Sequence, residues 1–296
     1  WVDPRTGATS EPSQVERGRP EAGALGPDAG GIQMLLQQID GVDAERAGRI
    51  ANARGQRRAS SGLGIAIPFD GKLYLIAGEP DKELAREITP AGADRIELVQ
   101  VSEAGKFSWV EGNTLCVVSE LKSGKVHRYR SEVDDSFSGK LDWVYQEEIY
   151  GRGNFQAHWW SPDGEQLGWL ELDESAVQEF TVVDHVEDGH FRVKPEIYNY
   201  PKVGDPNPTV KVWLGDFGGS KPKTTELDLS DYGDEEILVT RVGWTPEGEK
   251  MLFVVADRIQ TWAHLHWVDI KSKKQGVWIR EAQEAAWTPR PNPPRW

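Results

Sequence analysis

The pentapeptides "WSPDG" (Trp160–Gly164) and "WTPEG" (Trp244–Gly248) decide the fold class of this chain. They begin 84 residues apart, and a shorter copy, "VSEAGK", begins at Val101. In the two full copies, Pro fixes the first corner of a turn and Gly supplies a position with positive φ, while Trp is large enough to pack between neighbouring units. We therefore expect the same turn to recur along the chain.

A second repeated unit, a strand followed by a polar turn and another strand, accompanies these turns. Leu73 and Leu115, in its first two copies, are 42 residues apart, which is half of 84. Repeats of about 40–45 residues with four short strands each are typical of β-propeller blades. The sequence thus predicts an all-β fold, an incomplete propeller with blades of four antiparallel strands. At about 42 residues per blade, the chain holds about six blades or fewer. The four copies are "KLYLIAGEPDKELAREIT", "TLCVVSELKSGKVHRYR", "TVKVWLGDFGGSKPKTTELDL" and "LHWVDIKSKKQGVWIRE".

One segment departs from the β pattern. The apolar residues of "GIQMLLQQI" (31–39) are spaced as one face of a helix, and Asp43 is placed to cap a second helix that runs through Ala53. We expect residues 31–54 to form a small helical insertion near the N-terminus. The Gly- and Pro-rich stretch before it, residues 5–30, is predicted to be a loop.

Composition restricts the classes of partner. The net charge is −14, and residues 1–60 contain eight acids and eight arginines, so the acid excess belongs to residues 61–296. Nucleic acid is not expected as a partner, because phosphate binding needs a basic face. A cationic ligand is favoured, although an acid surplus is also explained by solubility alone. No apolar run approaches the about 20 residues of a membrane helix, so no membrane span is expected.

The sequence lacks the residues that several kinds of catalytic and metal-binding site require. No G-x-S-x-G is present, since "GGSKP" at Gly218–Pro222 lacks the last glycine. His264 and His266 share one strand face, but two ligands do not make a metal site, and we expect packed or surface side chains. The single cysteine, Cys116, excludes an internal disulfide and is expected to be a buried small hydrophobe. "DHVEDGH" (Asp184–His190) is read as a hairpin tip. We therefore predict no catalytic residues, no metal and no cofactor.

Two adjacent carboxylates remain, Glu147 and Glu148, among the aromatic residues of "KLDWVYQEEIYGRGNFQAHWW". The segment has few helix breakers before Gly151, so a short helix is plausible. Consecutive residues of a helix diverge by about 100°, yet two long side chains can still converge on one point. Close carboxylates repel each other and need a cation between them. The alternative is a solvated acidic turn at the surface.

The segment "LDWVYQEEIYGRGNFQAHWWSPDGEQLGWLELDES" strongly resembles the double-glutamate segment of the dipeptidyl peptidase IV family, a branch of the prolyl oligopeptidase family of serine peptidases. "YPKVGDPNPTVKVW" (Tyr200–Trp213) and "LVTRVGWTPEG" (Leu238–Gly248) resemble two further segments of that family in the right order. The likeness is specific over residues 140–270 and looser over 61–139. The helical insertion also resembles that of bacterial members.

The resemblance implies that residues 1–296 are an N-terminal propeller domain, with the C-terminal hydrolase domain absent from this chain. The propeller gates the active-site cavity, and Glu147 and Glu148 hold the free N-terminal amine of the peptide substrate. Gln146 stands where a third glutamate is common. The family also uses a propeller arginine, but Arg57 and Arg58 match its pattern too poorly to receive that role.

Partners implied by the resemblance are a peptide with a free N-terminus, the hydrolase domain and, as an open alternative, a second copy in a homodimer. The family's bacterial members suggest a periplasmic or secreted location. Without Ser, Asp and His of a triad, the chain alone is expected to be inactive as a peptidase.

Two other functions stay open at this point. One is a stand-alone propeller that binds a protein or peptide and catalyses nothing, and the other is a catalytically dead relative of the peptidases. Reading the gene beyond Trp296 discriminates them, because an active peptidase would continue with G-x-S-x-G, then Asp and His.

Overall fold

In the residues that the computed structural model describes, four antiparallel sheets of four or five strands follow one another along the chain, in addition to a separate two-stranded hairpin. The structure describes residues 29–52, 59–61, 64–77, 85–90, 92–93, 95–118, 125–183, 195–283 and 285–288. The first sheet contains β1 Ala59–Ser61, β2 Gly64–Phe69, β3 Lys72–Ala77 and β4 Ala85–Glu87, and the second contains β5 Ile96–Val101, β6 Phe107–Glu111, β7 Thr114–Val118 and β8 Val126–Tyr129.

The third sheet carries an insertion, and the fourth is regular. The third contains β10 His158–Trp160, β11 Gln166–Asp173, β14 Thr209–Asp216 and β15 Lys223–Glu226, and β9 Ser136–Ser138 also pairs with β11. A separate hairpin of β12 Glu179–Val183 and β13 Pro195–Asn199 leaves this sheet between β11 and β14. The fourth sheet contains β16 Ile237–Trp244, β17 Lys250–Asp257, β18 Trp262–Asp269 and β19 Gln275–Ala282.

The recurring turn occupies the same place in three of these sheets. "WSPDG" connects β10 to β11, "WTPEG" connects β16 to β17, and the degenerate "VSEAGK" connects β5 to β6. Each turn begins with a backbone N–H that bonds across the turn: Ser102 N to Lys106 O at 2.8 Å, Ser161 N to Gln166 O at 2.8 Å and Thr245 N to Lys250 O at 2.9 Å. The repeated sequence therefore codes for one repeated corner, as predicted.

The tryptophans of the two full turns contact the preceding sheet. Trp160 Nε1 donates to Ser108 Oγ at 3.0 Å, and Trp244 Nε1 donates to the carbonyl of Trp159 at 3.3 Å. Apolar clusters likewise span the second and third sheets and the third and fourth. Sequential four-stranded sheets packed face to face in this way are propeller blades. The predicted all-β propeller of four-stranded blades is confirmed, and the four blades seen among the described residues agree with an incomplete propeller.

The helical insertion is also confirmed. It consists of α1 Ala29–Leu36 and α2 Ala44–Ala51, so it begins two residues before the predicted start. Asp43 caps α2 as predicted, since its Oδ1 accepts from Arg46 N at 2.7 Å. The insertion packs on the first blade through a cluster of fully or nearly fully buried side chains: Ile32, Leu36, Ile50, Tyr74 and Ile76.

Two smaller predictions concern residues that the structure describes. Cys116 is fully buried, and burial raises the pKa of its thiol to about 12, so it is a core residue. His264 Nδ1 and His266 Nε2 both contact the Tyr232 hydroxyl, at 2.9 and 2.6 Å, and are packed side chains. The predicted hairpin tip at Asp184–His190 lies outside the described residues. Within the described residues, no helix is long and apolar enough to cross a membrane.

The close stacking of turns from neighbouring blades gives a testable prediction. Gly164 has φ +73°, and a Cβ there would lie 2.5 Å from Ala104 N in the turn of the preceding blade. Gly112, with φ +59°, has open space around the same position. We expect Gly164→Ala to reduce the free energy of unfolding by about 3 kcal/mol and Gly112→Ala by about 1 kcal/mol, because only the former adds a clash to backbone strain. Urea titration measures both, and equal losses would contradict the stacking.

Candidate functional site

Glu147 and Glu148 lie on one short helical turn that precedes β10. The helix starts at Trp143 and winds as a π-helix over Tyr145–Ile149, where Tyr150 N bonds to Tyr145 O at 2.8 Å. A π-turn has an extra residue per turn, so consecutive side chains diverge less than the about 100° of an α-helix. The predicted short helix is present, and its π form helps to bring the two adjacent carboxylates onto one side.

The apolar neighbours of the glutamates face the protein interior. Tyr145 and Ile149 are buried in the cluster shared by the third and fourth blades, and Gln146 is 2% exposed. Glu147 is half-buried and Glu148 is exposed. The aromatic sequence context therefore anchors the turn, while the two carboxylates lie on its outer side.

Two tyrosines fix the turn to the next blade. Tyr145 Oη accepts from Val239 N at 3.2 Å, and Tyr150 Oη donates to Val239 O at 3.1 Å. Arg241 Nη1 donates to the carbonyl of Ile149 at 3.2 Å. Val239 and Arg241 flank a β-bulge in β16, which exposes backbone groups to partners outside the sheet. The turn that carries the glutamates is thus tied to a strand of another blade.

Asp142 caps the start of the helix. Its Oδ2 accepts from Val144 N at 2.9 Å and its Oδ1 from Tyr145 N at 3.0 Å, while the residue is only 2% exposed. Burial raises the pKa of this carboxyl to about 6. Sequence reasoning missed this residue, although Asp directly before a helical segment is a known capping signal.

A second buried carboxyl lies close to Asp142. Glu174 is 6% exposed and accepts from Asn199 Nδ2 at 3.0 Å, which ties it to the base of the β12–β13 hairpin. Burial and then the charge of Asp142 raise the pKa of Glu174 to about 7. Because both folded-state pKa values exceed the ordinary values, the folded state holds extra protons between about pH 4 and 7. These groups therefore make the protein less stable as pH rises through that window.

Removing the charge of Glu174 is expected to reverse part of that loss. In Glu174→Gln, the amide oxygen can still accept from Asn199, and the repulsion with Asp142 is gone. We expect a gain of about 1 kcal/mol in unfolding free energy at pH 8, after allowance for solvent screening, and no gain at pH 5. Urea titration at the two pH values checks this, with the surface variant Glu179→Gln as control. A gain of the same size at pH 5 would contradict the assignment.

Two clefts meet at the glutamate turn. We call the first the hairpin cleft; it has a volume of about 690 Å3 and lies between the turn and the β12–β13 hairpin. The second, the blade cleft, has a volume of about 310 Å3 and joins Glu148 to residues of β16–β18 that include Thr240 and Trp262. The hairpin cleft is lined by Trp143, Glu147, Glu148, Arg152, Phe180, Val182, Glu196, Tyr198 and Tyr200. Its wall is therefore aromatic and acidic, which suits a cation.

A cation of the chain itself already contacts Glu147. Arg152 Nε donates to Glu147 Oε1 at 2.6 Å, and its Nη2 also lies against that oxygen. Gln146 helps to hold the loop, since its Oε1 accepts from Gly153 N at 2.6 Å. Sequence reasoning noted that paired carboxylates need a cation but did not identify Arg152. "YGRGN" gave no periodic signal that would have placed its guanidinium at Glu147.

Two further findings concern the candidate arginines and metal binding. Arg57 and Arg58 lie outside the described residues. Among the residues that the structure describes, no three His, Cys, Asp or Glu side chains come together in a way that could hold a metal ion.

Known proteins that resemble this chain include dipeptidyl peptidases and dipeptidyl aminopeptidases. Residues 71–296 match a family model described as the dipeptidyl peptidase IV (DPP IV) N-terminal region. The chain is 29% identical over 184 residues to dipeptidyl aminopeptidase B of Saccharomyces cerevisiae, covering 61% of this chain and 22% of the relative. It is 30% identical over 209 residues to dipeptidyl peptidase 4 of Arthroderma otae, covering 66% and 25%. The chain thus spans about a quarter of the length of these relatives.

Solved structures agree on the fold. The crystal structure of Porphyromonas gingivalis dipeptidyl peptidase 4 superposes with a TM-score of 0.60 at 19% identity, over 77% of this chain and 32% of that one. A putative dipeptidyl aminopeptidase IV from Bacteroides ovatus gives a TM-score of 0.56, also at 19% identity, over 76% and 29%.

Proposed function

Because the chain belongs to the dipeptidyl peptidase IV family, by the family's N-terminal region, we propose that it is the propeller part of a serine exopeptidase that releases dipeptides. In this proposal the propeller restricts access to the active-site cavity. Glu147 and Glu148 bind the free N-terminal amine of the peptide. The catalytic Ser, Asp and His belong to a hydrolase domain elsewhere in the full-length protein.

The observation that carries the proposal is the set of hydrogen bonds that holds the glutamate turn in place. Two carboxylates on one π-turn are held by an Asp142 cap and by two tyrosine hydroxyls on Val239 of the next blade. A receptor for a single charge needs fixed geometry, because a mobile pair would lose part of its binding energy in becoming ordered.

The chemistry follows from charge. A peptide α-amine has a pKa of about 7.7–8, so much of it is protonated at neutral pH. An ammonium donates three hydrogen bonds and is attracted by two carboxylates where water is partly excluded. With the ammonium fixed at the turn and the nucleophile fixed in another domain, only the bond at a set distance from the N-terminus reaches the nucleophile. Release of dipeptides is the expected outcome.

Acetylation of the substrate tests the proposal. We expect the full-length protein to hydrolyse Gly-Pro-p-nitroanilide at least 100-fold better, in kcat/KM, than its N-acetylated form, because acetylation removes the ammonium. Equal hydrolysis of both would contradict the amine receptor. Binding of free-amine peptides without any hydrolysis would instead favour a non-catalytic peptide-binding module.

Two accompanying proposals come from the family resemblance alone. One is a periplasmic or secreted location, which cell fractionation tests. The other is a homodimer, which light scattering of the full-length protein tests.

A further inference from the structure

Arg152 occupies the place where the proposed function puts the substrate's ammonium. Its guanidinium contacts Glu147 Oε1 through two nitrogens, and both Arg152 and Glu148 line the hairpin cleft. The hydrogen bond with Glu147, its charge and the more distant charge of Glu148 raise the pKa of Arg152 above its ordinary value. The guanidinium therefore experiences both carboxylates, as a bound ammonium would.

The two members of this ion pair are held very differently. The Glu147 side chain is 16% exposed and lies on the anchored turn, whereas the Arg152 side chain is 85% exposed. Arg152 stands between Gly151 and Gly153, which both have positive φ and open space around them. An ion pair with one partner in solvent contributes little to stability, so the guanidinium can leave at low cost.

We infer that Arg152 is a tethered cation that covers Glu147 in the free protein and is displaced by the α-ammonium of the peptide. The inference rests on the proposed function and deepens it, because it names a residue that sets the receptor's affinity. Glu147 Oε1 already contacts two nitrogens of Arg152, so it cannot also accept a well-aligned hydrogen bond from the ammonium. While bound, the guanidinium also repels the incoming positive charge. Arg152 therefore makes substrate binding weaker than the two glutamates alone would allow.

An alternative role for Arg152 is to orient Glu147 for the substrate. If Arg152 holds Glu147 in the orientation that the substrate needs, its removal would weaken binding. The two roles predict changes of opposite sign in the same measured quantity, so a single variant decides between them.

The test uses the full-length protein and the variant Arg152→Gln, which removes the charge and keeps a shorter polar side chain. We expect KM for Gly-Pro-p-nitroanilide to fall about two- to fivefold, the range of an exposed ion pair, with kcat much less affected. The inhibition constant of the dipeptide Gly-Pro should fall by a similar factor. Arg152→Lys keeps the charge but loses the two-nitrogen contact of the guanidinium, so its KM should fall less than that of Arg152→Gln.

Arg130→Gln is the matched control. Arg130 is 56% exposed and pairs with Asp134, a carboxylate that is itself 95% exposed. The variant removes one positive charge, as Arg152→Gln does. Its KM should equal that of the parent. A double variant, Glu147→Gln with Arg152→Gln, should show no benefit over Glu147→Gln alone, because the competition requires the carboxylate.

The outcomes separate this inference from the proposed function. If Glu147→Gln impairs hydrolysis of the free peptide but Arg152→Gln leaves KM unchanged or raises it, the tethered-cation role is wrong and the amine receptor stands. If Glu147→Gln has no effect on the free peptide, the receptor itself is wrong. A thermal unfolding midpoint within error of the parent shows that each variant is folded.

Discussion

Glu147→Gln and Glu148→Gln are each expected to lower kcat/KM of the full-length protein for a free dipeptide amide by about tenfold to a hundredfold. Gln keeps the shape and one acceptor oxygen but loses the charge. A charge-assisted hydrogen bond to an ammonium is worth about 1.5–3 kcal/mol where water is excluded. Replacing both glutamates should nearly abolish dipeptide release.

The comparison with an acetylated substrate isolates the ammonium. N-acetyl-Gly-Pro-p-nitroanilide should be a poor substrate of the parent and should lose little more in either variant, because the charged partner is already absent. Glu226→Gln, at an exposed glutamate that pairs with Lys211, is the control for a lost surface charge and should behave as the parent. Equal cleavage of the free peptide by all forms would exclude the amine receptor and leave the acidic surface turn as the explanation.

Asp142→Ala is expected to impair both the stability of the fold and the hydrolysis of the free peptide. It removes the acceptors of two backbone N–H groups, Val144 N and Tyr145 N, at a site that is 2% exposed. The combined loss of a cap and of buried hydrogen bonds should reduce the free energy of unfolding by about 2–3 kcal/mol. Asp142→Asn keeps one acceptor and should fall between the parent and the Ala variant.

Asp43→Ala provides a matched control for this prediction. Asp43 caps α2 with a single hydrogen bond, 2.7 Å from Arg46 N, at an exposed position, so its loss should cost about 1 kcal/mol. Asp142 acts on the substrate only through the glutamate turn and is a positioning residue. At temperatures where Asp142→Ala stays folded, kcat/KM should fall at least tenfold for the free peptide and little for the acetylated one. Equal falls for both substrates would indicate general loss of structure instead.

The repeated turns were readable from the sequence because their cause is local. Pro, Gly and Trp at fixed spacing specify a corner by their own backbone preferences, and the 84-residue interval carried the blade repeat. The cap of α2 by Asp43 was predictable for the same reason. The resemblance around Glu147 and Glu148 pointed to the family, to which the match of residues 71–296 assigns the chain.

The position of the turn that carries the two glutamates depends on contacts between residues that are far apart in the sequence. Val239, whose N–H donates to Tyr145 and whose carbonyl accepts from Tyr150, is 94 residues from Tyr145. Asn199, which donates to Glu174, is 25 residues from it. Such pairings are set by how blades pack, and no local propensity encodes them.

The sequence by itself determined the blade repeat, the helical insertion and the position of the paired carboxylates, because each depends on residues within one turn or one helix. Only the tertiary structure decided that the turn bearing the carboxylates is locked to the next blade through Val239 and Arg241. Those contacts arise where separate segments meet, and their energy depends on burial and orientation that exist only in the folded chain.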